Sequence, residues 1–267
     1  MDFLNYFSIF FIGASFGSFI NLARFRIPKN QSIFLPNSFC DNCKKPLDWR
    51  QKVPLFSQIF FSSKCKSCQY VVPFKYTLIE LIIAILFVIN LNLNNFLFSS
   101  NEIFDLIIKS VFISTLLLIS LIDIDTFTIP NNLNLTAYIL GLVSIIFFSD
   151  YAFQINVIIY RILFSLVTYI FLELFSEIYN IFRKKIPFGS GDSKLLAVFV
   201  IWLGIKAIPL ITITSIYLAG IYICIGFING KLKNDRLPFG PFLSLGAYLF
   251  IMLGPEFLSK VLLLNVG

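Results

Sequence analysis

Phe188-Gly189-Ser190-Gly191-Asp192-Ser193-Lys194-Leu195-Leu196 sets a carboxylate between a glycine-flanked turn and an apolar run that continues to Leu203. A run of that kind begins a membrane helix, and an ionisable side chain at its mouth is costly to keep there unless it has work to do. A second carboxylate stands in an equivalent place upstream. Asp123, in Leu121-Ile122-Asp123-Ile124-Asp125-Thr126-Phe127-Thr128-Ile129-Pro130-Asn131, closes the apolar run from Val111 to Ile122 and precedes a proline by seven residues. The rest of the sequence bears on whether these two aspartates meet.

The chain has 267 residues, 58% of them hydrophobic and only 13% charged, with a mean hydropathy of +0.86. These values lie far outside the soluble range and define an all-α polytopic membrane protein. Apolar windows long enough to span a bilayer predict eight helices, at about 3–23, 76–93, 105–122, 133–149, 155–181, 193–209, 211–228 and 239–254. There is no histidine. That absence removes Ser-His-Asp and Cys-His nucleophiles and histidine-ligated metals, so chemistry must rest on Asp, Glu, Lys, Ser, Tyr or Cys.

The basic residues that give the net charge of +7 lie in loops beside the predicted spans. A topological cause is sufficient for them, and nucleic-acid binding is not expected. Arg24, Arg26 and Lys29 follow the first span, whereas no basic residue precedes it, which puts the N-terminus outside and the next segment in the cytoplasm. That segment, about 24–75, holds ten Lys or Arg. The later inside loops carry Arg183, Lys184 and Lys185, then Lys231, Lys233 and Arg236, while the outside loops are nearly free of basic residues. Asp123 then ends span three and Asp192 begins span six at one cytoplasmic depth. The domain organisation expected is a first transmembrane helix over 1–23, a cytoplasmic domain with four cysteines over 24–75 and a transmembrane domain with both aspartates over 76–267.

Two carboxylates facing one water divide the labour of hydrolysis, one ionised as base and one protonated as donor, with a single proton shared between them. The milder readings are a helix cap for Asp192 and a solvated charge for Asp123. Asp125, nearer the following loop, ranks second to Asp123. Lys194 could serve a Ser-Lys dyad with Ser190 or Ser193, against ordinary snorkelling.

Cys40-x-x-Cys43 and Cys65-x-x-Cys68 are separated by 21 residues. Four thiolates in two knuckles suit tetrahedral zinc, and a reducing cytoplasm disfavours disulfides; the alternative is two redox pairs or incidental thiols. Bound zinc would be structural, since the four protein ligands leave no open position. Cys224, inside an apolar span, reads as packing. Leu237-Pro238-Phe239-Gly240-Pro241-Phe242 opens the last span as a helix-starting turn, level with the aspartates, where it could line their pocket.

Taken in this order the residues resemble a known family, the type IV prepilin peptidases, leader peptidases of the GxGD aspartic class. Gly13 to Arg26 is similar to the family's first-span motif, Gly-Ser-Phe-hydrophobic-Asn followed by Arg. The paired knuckles follow, with Pro54-Leu55 between them and Tyr76 to Glu80-Leu81 after them. Asp123 with Pro130 resembles the first catalytic motif, Gly189 to Leu196 the second, and Pro238 to Phe242 the closing one. One departure is Asn131, where an aspartate is common.

The resemblance implies that Asp123 and Asp192 form the catalytic dyad and that Cys40, Cys43, Cys65 and Cys68 hold zinc. It implies removal of the short basic leader of type IV prepilins or pseudopilins at the cytoplasmic face of the bacterial inner membrane. It also implies methylation of the new N-terminus from S-adenosylmethionine, for which no residue here marks a site. A protease of the presenilin kind would carry Tyr-Asp and Pro-Ala-Leu motifs, and neither occurs. A non-enzymatic scaffold or transporter, with the aspartates binding ions or protons, is the alternative from another class.

Overall fold

The computed structural model describes residues 3–36, 38–40, 42–46, 48, 53–55, 64–71, 73–93, 100–147, 154–184, 189–230 and 237–261. Phe188 and the loop residues Arg50, Lys52, Lys185, Lys231, Lys233 and Arg236 lie outside these. The described residues form eight α-helices: α1 (Phe3–Arg26), α2 (Lys75–Leu93), α3 (Ser100–Thr126), α4 (Asn131–Phe147), α5 (Ile155–Arg183), α6 (Ser190–Leu203), α7 (Ala207–Ile228) and α8 (Gly240–Val261).

Each predicted window falls on one helix with a single exception. The window at 193–209 is cut by Gly204, which at φ +85° takes a backbone conformation that ends α6. With 14 residues, α6 is about 21 Å long, short of the roughly 30 Å hydrocarbon core of a bilayer. Among the described residues four stretches are long and apolar enough to cross a membrane: Leu4–Lys29, Ile103–Thr126, Ile155–Arg183 and Ala207–Ile228, with Asn131–Phe147 a shorter apolar helix. The described residues are thus all-α in their regular structure, with four membrane spans supported by length and composition.

It divides into two compact units, Met1–Ser114 and Thr115–Gly267. In the first, α1 and α2 run antiparallel at very close range. A Cβ added at Gly13 would lie 2.8 Å from Ala84 Cα, and one at Gly17 would lie 2.5 Å from Glu80 Cα. Small residues four apart let membrane helix backbones approach in this way. Further along the same register, the Asn21 side-chain amide donates to the Tyr76 carbonyl at 2.9 Å.

The 24–75 segment is fastened to this pair at two places. Buried Arg26 donates to the Ser32 and Pro36 carbonyls at 3.0 and 2.7 Å. The Leu55 N–H donates to Glu80 Oε2 at 2.8 Å, and its side chain packs with Ala14 and Ala84. The first-span motif, Pro54-Leu55 and Glu80 therefore meet in one packed cluster.

In the second unit α6 is the central helix, in contact with α4, α5, α7 and α8, and Leu195 to Ile201 are all buried. Its antiparallel neighbour α5 bonds it at two levels. Arg161 Nη1 donates to the Ile201 and Trp202 carbonyls, each at 2.8 Å, and Ser165 Oγ to the Ala197 carbonyl at 2.9 Å. On another side, the Trp202 indole N–H donates to the Ala137 carbonyl of α4 at 2.9 Å.

Candidate active site

Asp123, in the last turn of α3, is 5% exposed, whereas Asp125 is exposed. The Asp123 carboxylate accepts the Gly240 N–H at 2.9 Å, from the first residue of α8. Asp192 is half-buried in the first turn of α6. Its carboxylate accepts the N–H of Gly189, the residue that caps that helix, as the third residue of a helix does in a capping box. Each carboxylate is therefore held by a glycine N–H at a helix start. The Asp123 charge acts directly on Asp192.

Ile129, in the turn between α3 and α4, wedges the two motifs together. A Cβ at Gly191 would lie 2.8 Å from Ile129 Cβ, and one at Gly240 would lie 3.2 Å from its Cδ1 and 2.8 Å from Asp123 Oδ2. These two positions have no room for a side chain. Lys194, offered as a partner for a serine nucleophile, instead donates to Asn131 Oδ1 at 2.7 Å, and the Ser193 hydroxyl reaches the Gly189 carbonyl at 3.5 Å. The residue that departs from the family pattern, Asn131, thus ties the start of α4 to the start of α6.

Two contributors escaped the sequence reading. Ile129 was seen only as the neighbour of Pro130, and Asn134, whose Nδ2 lies 3.4 Å from the Gly191 carbonyl, was read as part of a span. Asn134 could have been found as a polar residue on the face carrying Leu133, Ala137, Gly141 and Ser144, all buried.

The four cysteines of the first unit gather with their Sγ atoms within 4.8 Å of one another, where they could hold a metal ion. The two knuckles are built alike, 25 positions apart. Cys40 N–H donates to the Lys45 carbonyl and Lys44 N–H to the Cys40 carbonyl; Cys65 N–H donates to the Tyr70 carbonyl and Gln69 N–H to the Cys65 carbonyl, all at 2.9 Å. Lys44 and Gln69 share a positive φ, 58° and 57°. Across the knuckles Cys40 Sγ lies 3.6 Å from Cys68 Sγ, and Cys43 Sγ 3.8 Å from Cys65 Sγ. The Cys68 and Ser67 N–H groups lower the Cys65 thiol to about 6. Cys43 goes the other way: although the Lys45 N–H opposes it, burial and the neighbouring thiols push it up to about 11. Four thiolates at this spacing repel one another, and a divalent cation would offset that repulsion.

Residues 11–93 match the bacterial peptidase A24 N-terminal domain, so that by class the protein is a bacterial membrane peptidase. Residues 110–224, which contain both aspartates, match the type IV leader peptidase family. The chain belongs to that family. It is 29% identical over 269 residues to the prepilin leader peptidase/N-methyltransferase of Bacillus subtilis, covering 97% of this chain and 98% of that one. It is 28% identical to the proteins of the same name from Legionella pneumophila, covering 85% of this chain and 76% of that one, and from Neisseria gonorrhoeae, covering 89% and 87%. No solved structure is detectably similar to it.

Proposed function

We propose that the protein is the aspartic endopeptidase that removes the leader of type IV prepilins or pseudopilins, with Asp123 and Asp192 as its catalytic pair. The observation that carries this is the arrangement of the two carboxylates. They stand in the unit that matches the leader peptidase family, electrostatically coupled and each fixed by a glycine N–H at a helix start.

Two carboxylates in mutual repulsion share a proton. The ionised one takes a proton from a water molecule as its oxygen adds to the scissile carbonyl carbon, and the protonated one donates to the carbonyl oxygen. Collapse of the tetrahedral intermediate breaks the C–N bond, and the departing nitrogen takes up a proton. No covalent enzyme intermediate is formed. Rigid placement by Gly189, Gly240 and Ile129 supplies the orientation that such a step requires.

The chain would cross the membrane eight times, with the shorter helices completing the set. The 24–75 segment and the aspartates would face the cytoplasm, as the placement of basic residues supports. The cysteine cluster suits zinc in a structural role. The relatives' shared name supports a second activity, methylation of the new N-terminal amine from S-adenosylmethionine, to which no residue is assigned here.

The test is mass spectrometry of a prepilin's N-terminus after co-expression with the protein, Asp123→Asn or Asp192→Asn. A shortened product with the original chain only is expected, and the mass of one added methyl group would establish the second activity. Full cleavage by either variant would remove that aspartate from the mechanism.

A further inference from the structure

The site leaves two buried polar groups unused. Asn134 on α4 is 4% exposed and Ser244 on α8 is 5% exposed. Neither Asn134 Oδ1 nor Ser244 Oγ has a hydrogen-bond partner among the described residues. A buried polar atom without a partner forfeits its hydration with nothing in return, and in folded proteins such atoms are overwhelmingly paired.

Most helical serine and threonine hydroxyls with a described partner bond within their own helix, although the buried Tyr248 hydroxyl of α8, like Ser244, has none among the described residues. Ser114, Ser120, Thr126, Thr136, Thr168 and Ser215 each donate to the carbonyl one turn back, the usual resort of a helical Ser or Thr. Ser244 does not. The Asn134 amide is similarly half-used. Its Nδ2 lies 3.4 Å from the Gly191 carbonyl, and turning the amide over would face two oxygens together and empty the nitrogen instead. One end of the side chain lacks a partner in either orientation.

Both groups stand close in the fold or along a helix to residues that hold the carboxylates. Asn134 bonds the residue before Asp192, and Ser244 stands one helical turn beyond Gly240, whose N–H holds Asp123. Ile129 abuts both glycine positions, which brings the glycine that Asn134 bonds and the glycine one turn before Ser244 to one place.

We propose that Asn134 and Ser244 are seats for the substrate's main chain, hydrogen-bonding an unwound stretch of polypeptide on either side of the scissile bond; this rests on the peptidase reading above. A peptide bond within a helix is occupied by its own chain. To be attacked it must be drawn out, and in apolar surroundings every N–H and C=O so freed needs a new partner. Asn134 Oδ1 accepts a substrate N–H, and the Ser244 hydroxyl donates to a substrate carbonyl. The ligand is extended backbone of any sequence, so the pair supplies grip without side-chain specificity.

The experiment uses the full-length protein in detergent with synthetic prepilin peptides in which one amide at a time near the scissile bond is replaced by an ester. That replacement deletes one N–H and weakens the neighbouring carbonyl as an acceptor. Asn134→Leu and Ser244→Ala are each expected to raise KM about three- to tenfold. One ester position should cost the original enzyme a similar factor and cost Asn134→Leu nothing more, with a second position doing the same for Ser244→Ala; such non-additivity marks direct contact. Ser244→Ala removes a single oxygen and keeps the test open should Asn134→Leu fail to fold. If variant and ester effects multiply independently at every position, as they would were the two groups seats for ordered water, the proposal is overturned. If the original enzyme cleaves no prepilin peptide, the peptidase reading fails and the proposal with it, whereas cleavage without coupling removes the proposal alone.

Discussion

Asp123 takes its hydrogen bond from a glycine that stands 117 positions later in the chain. The Cβ that alanine would add at Gly240 lies 2.8 Å from the carboxylate oxygen and 3.2 Å from Ile129. Gly240→Ala must therefore push Asp123 off its N–H, and displacements of this size at reacting groups cost about a hundredfold. The expected outcome is a loss of that order in kcat with normal membrane insertion, measured on a purified prepilin. Unchanged kcat would mean that the bond does not position Asp123. The aspartates and the cysteines were legible as sequence because each lies in a short, punctuated motif whose meaning is local. What Ile129 and Asn134 do was not legible, and of Gly240 only its level with the aspartates was. Their contacts cross between helix ends that only packing brings together, and nothing in a run of apolar residues says which of them will face a carboxylate.

The eight helices themselves were readable from hydropathy, with one end misjudged. The apolar run from Leu195 continues past Gly204, so composition gave no reason to stop α6 there; the positive φ of that glycine stops it. Helix pairing was less legible, although Gly13 and Gly17 hinted at it through their spacing. Their effect can be measured. Gly17→Ala would bring a methyl group 2.5 Å from the Glu80 backbone, and forcing α1 from α2 should cost about 1–3 kcal/mol. Gly220, in α7, has nothing within 4 Å of the position its Cβ would take. Gly220→Ala should stay within about 1 kcal/mol of the original or gain slightly. Denaturant titration in mixed micelles compares the two, and equal costs would show that the close approach of α1 and α2 does not determine stability.

For the molecule as a whole, the proposed topology makes a prediction that needs no substrate. Reporter fusions joined within 24–75, after Arg183 and after Asn229 should report the cytoplasm, and fusions within 94–104 and 150–154 the outside, following the asymmetry of basic residues. Reversal at any one junction would remove the eight-span arrangement and with it the shared depth of the two aspartates. That arrangement also fixes a schedule. A ribosome adding roughly 5–20 residues per second leaves about 6–23 s between the emergence of Asp123 and that of its donor 117 residues later. Once Asp192 has followed, in the later part of that interval, the half-made protein has both aspartates yet lacks the strut that holds the first. On the proposed mechanism, a chain that stops before α8 is expected to hold both aspartates without cutting, so that proteolytic competence would arrive only with that helix.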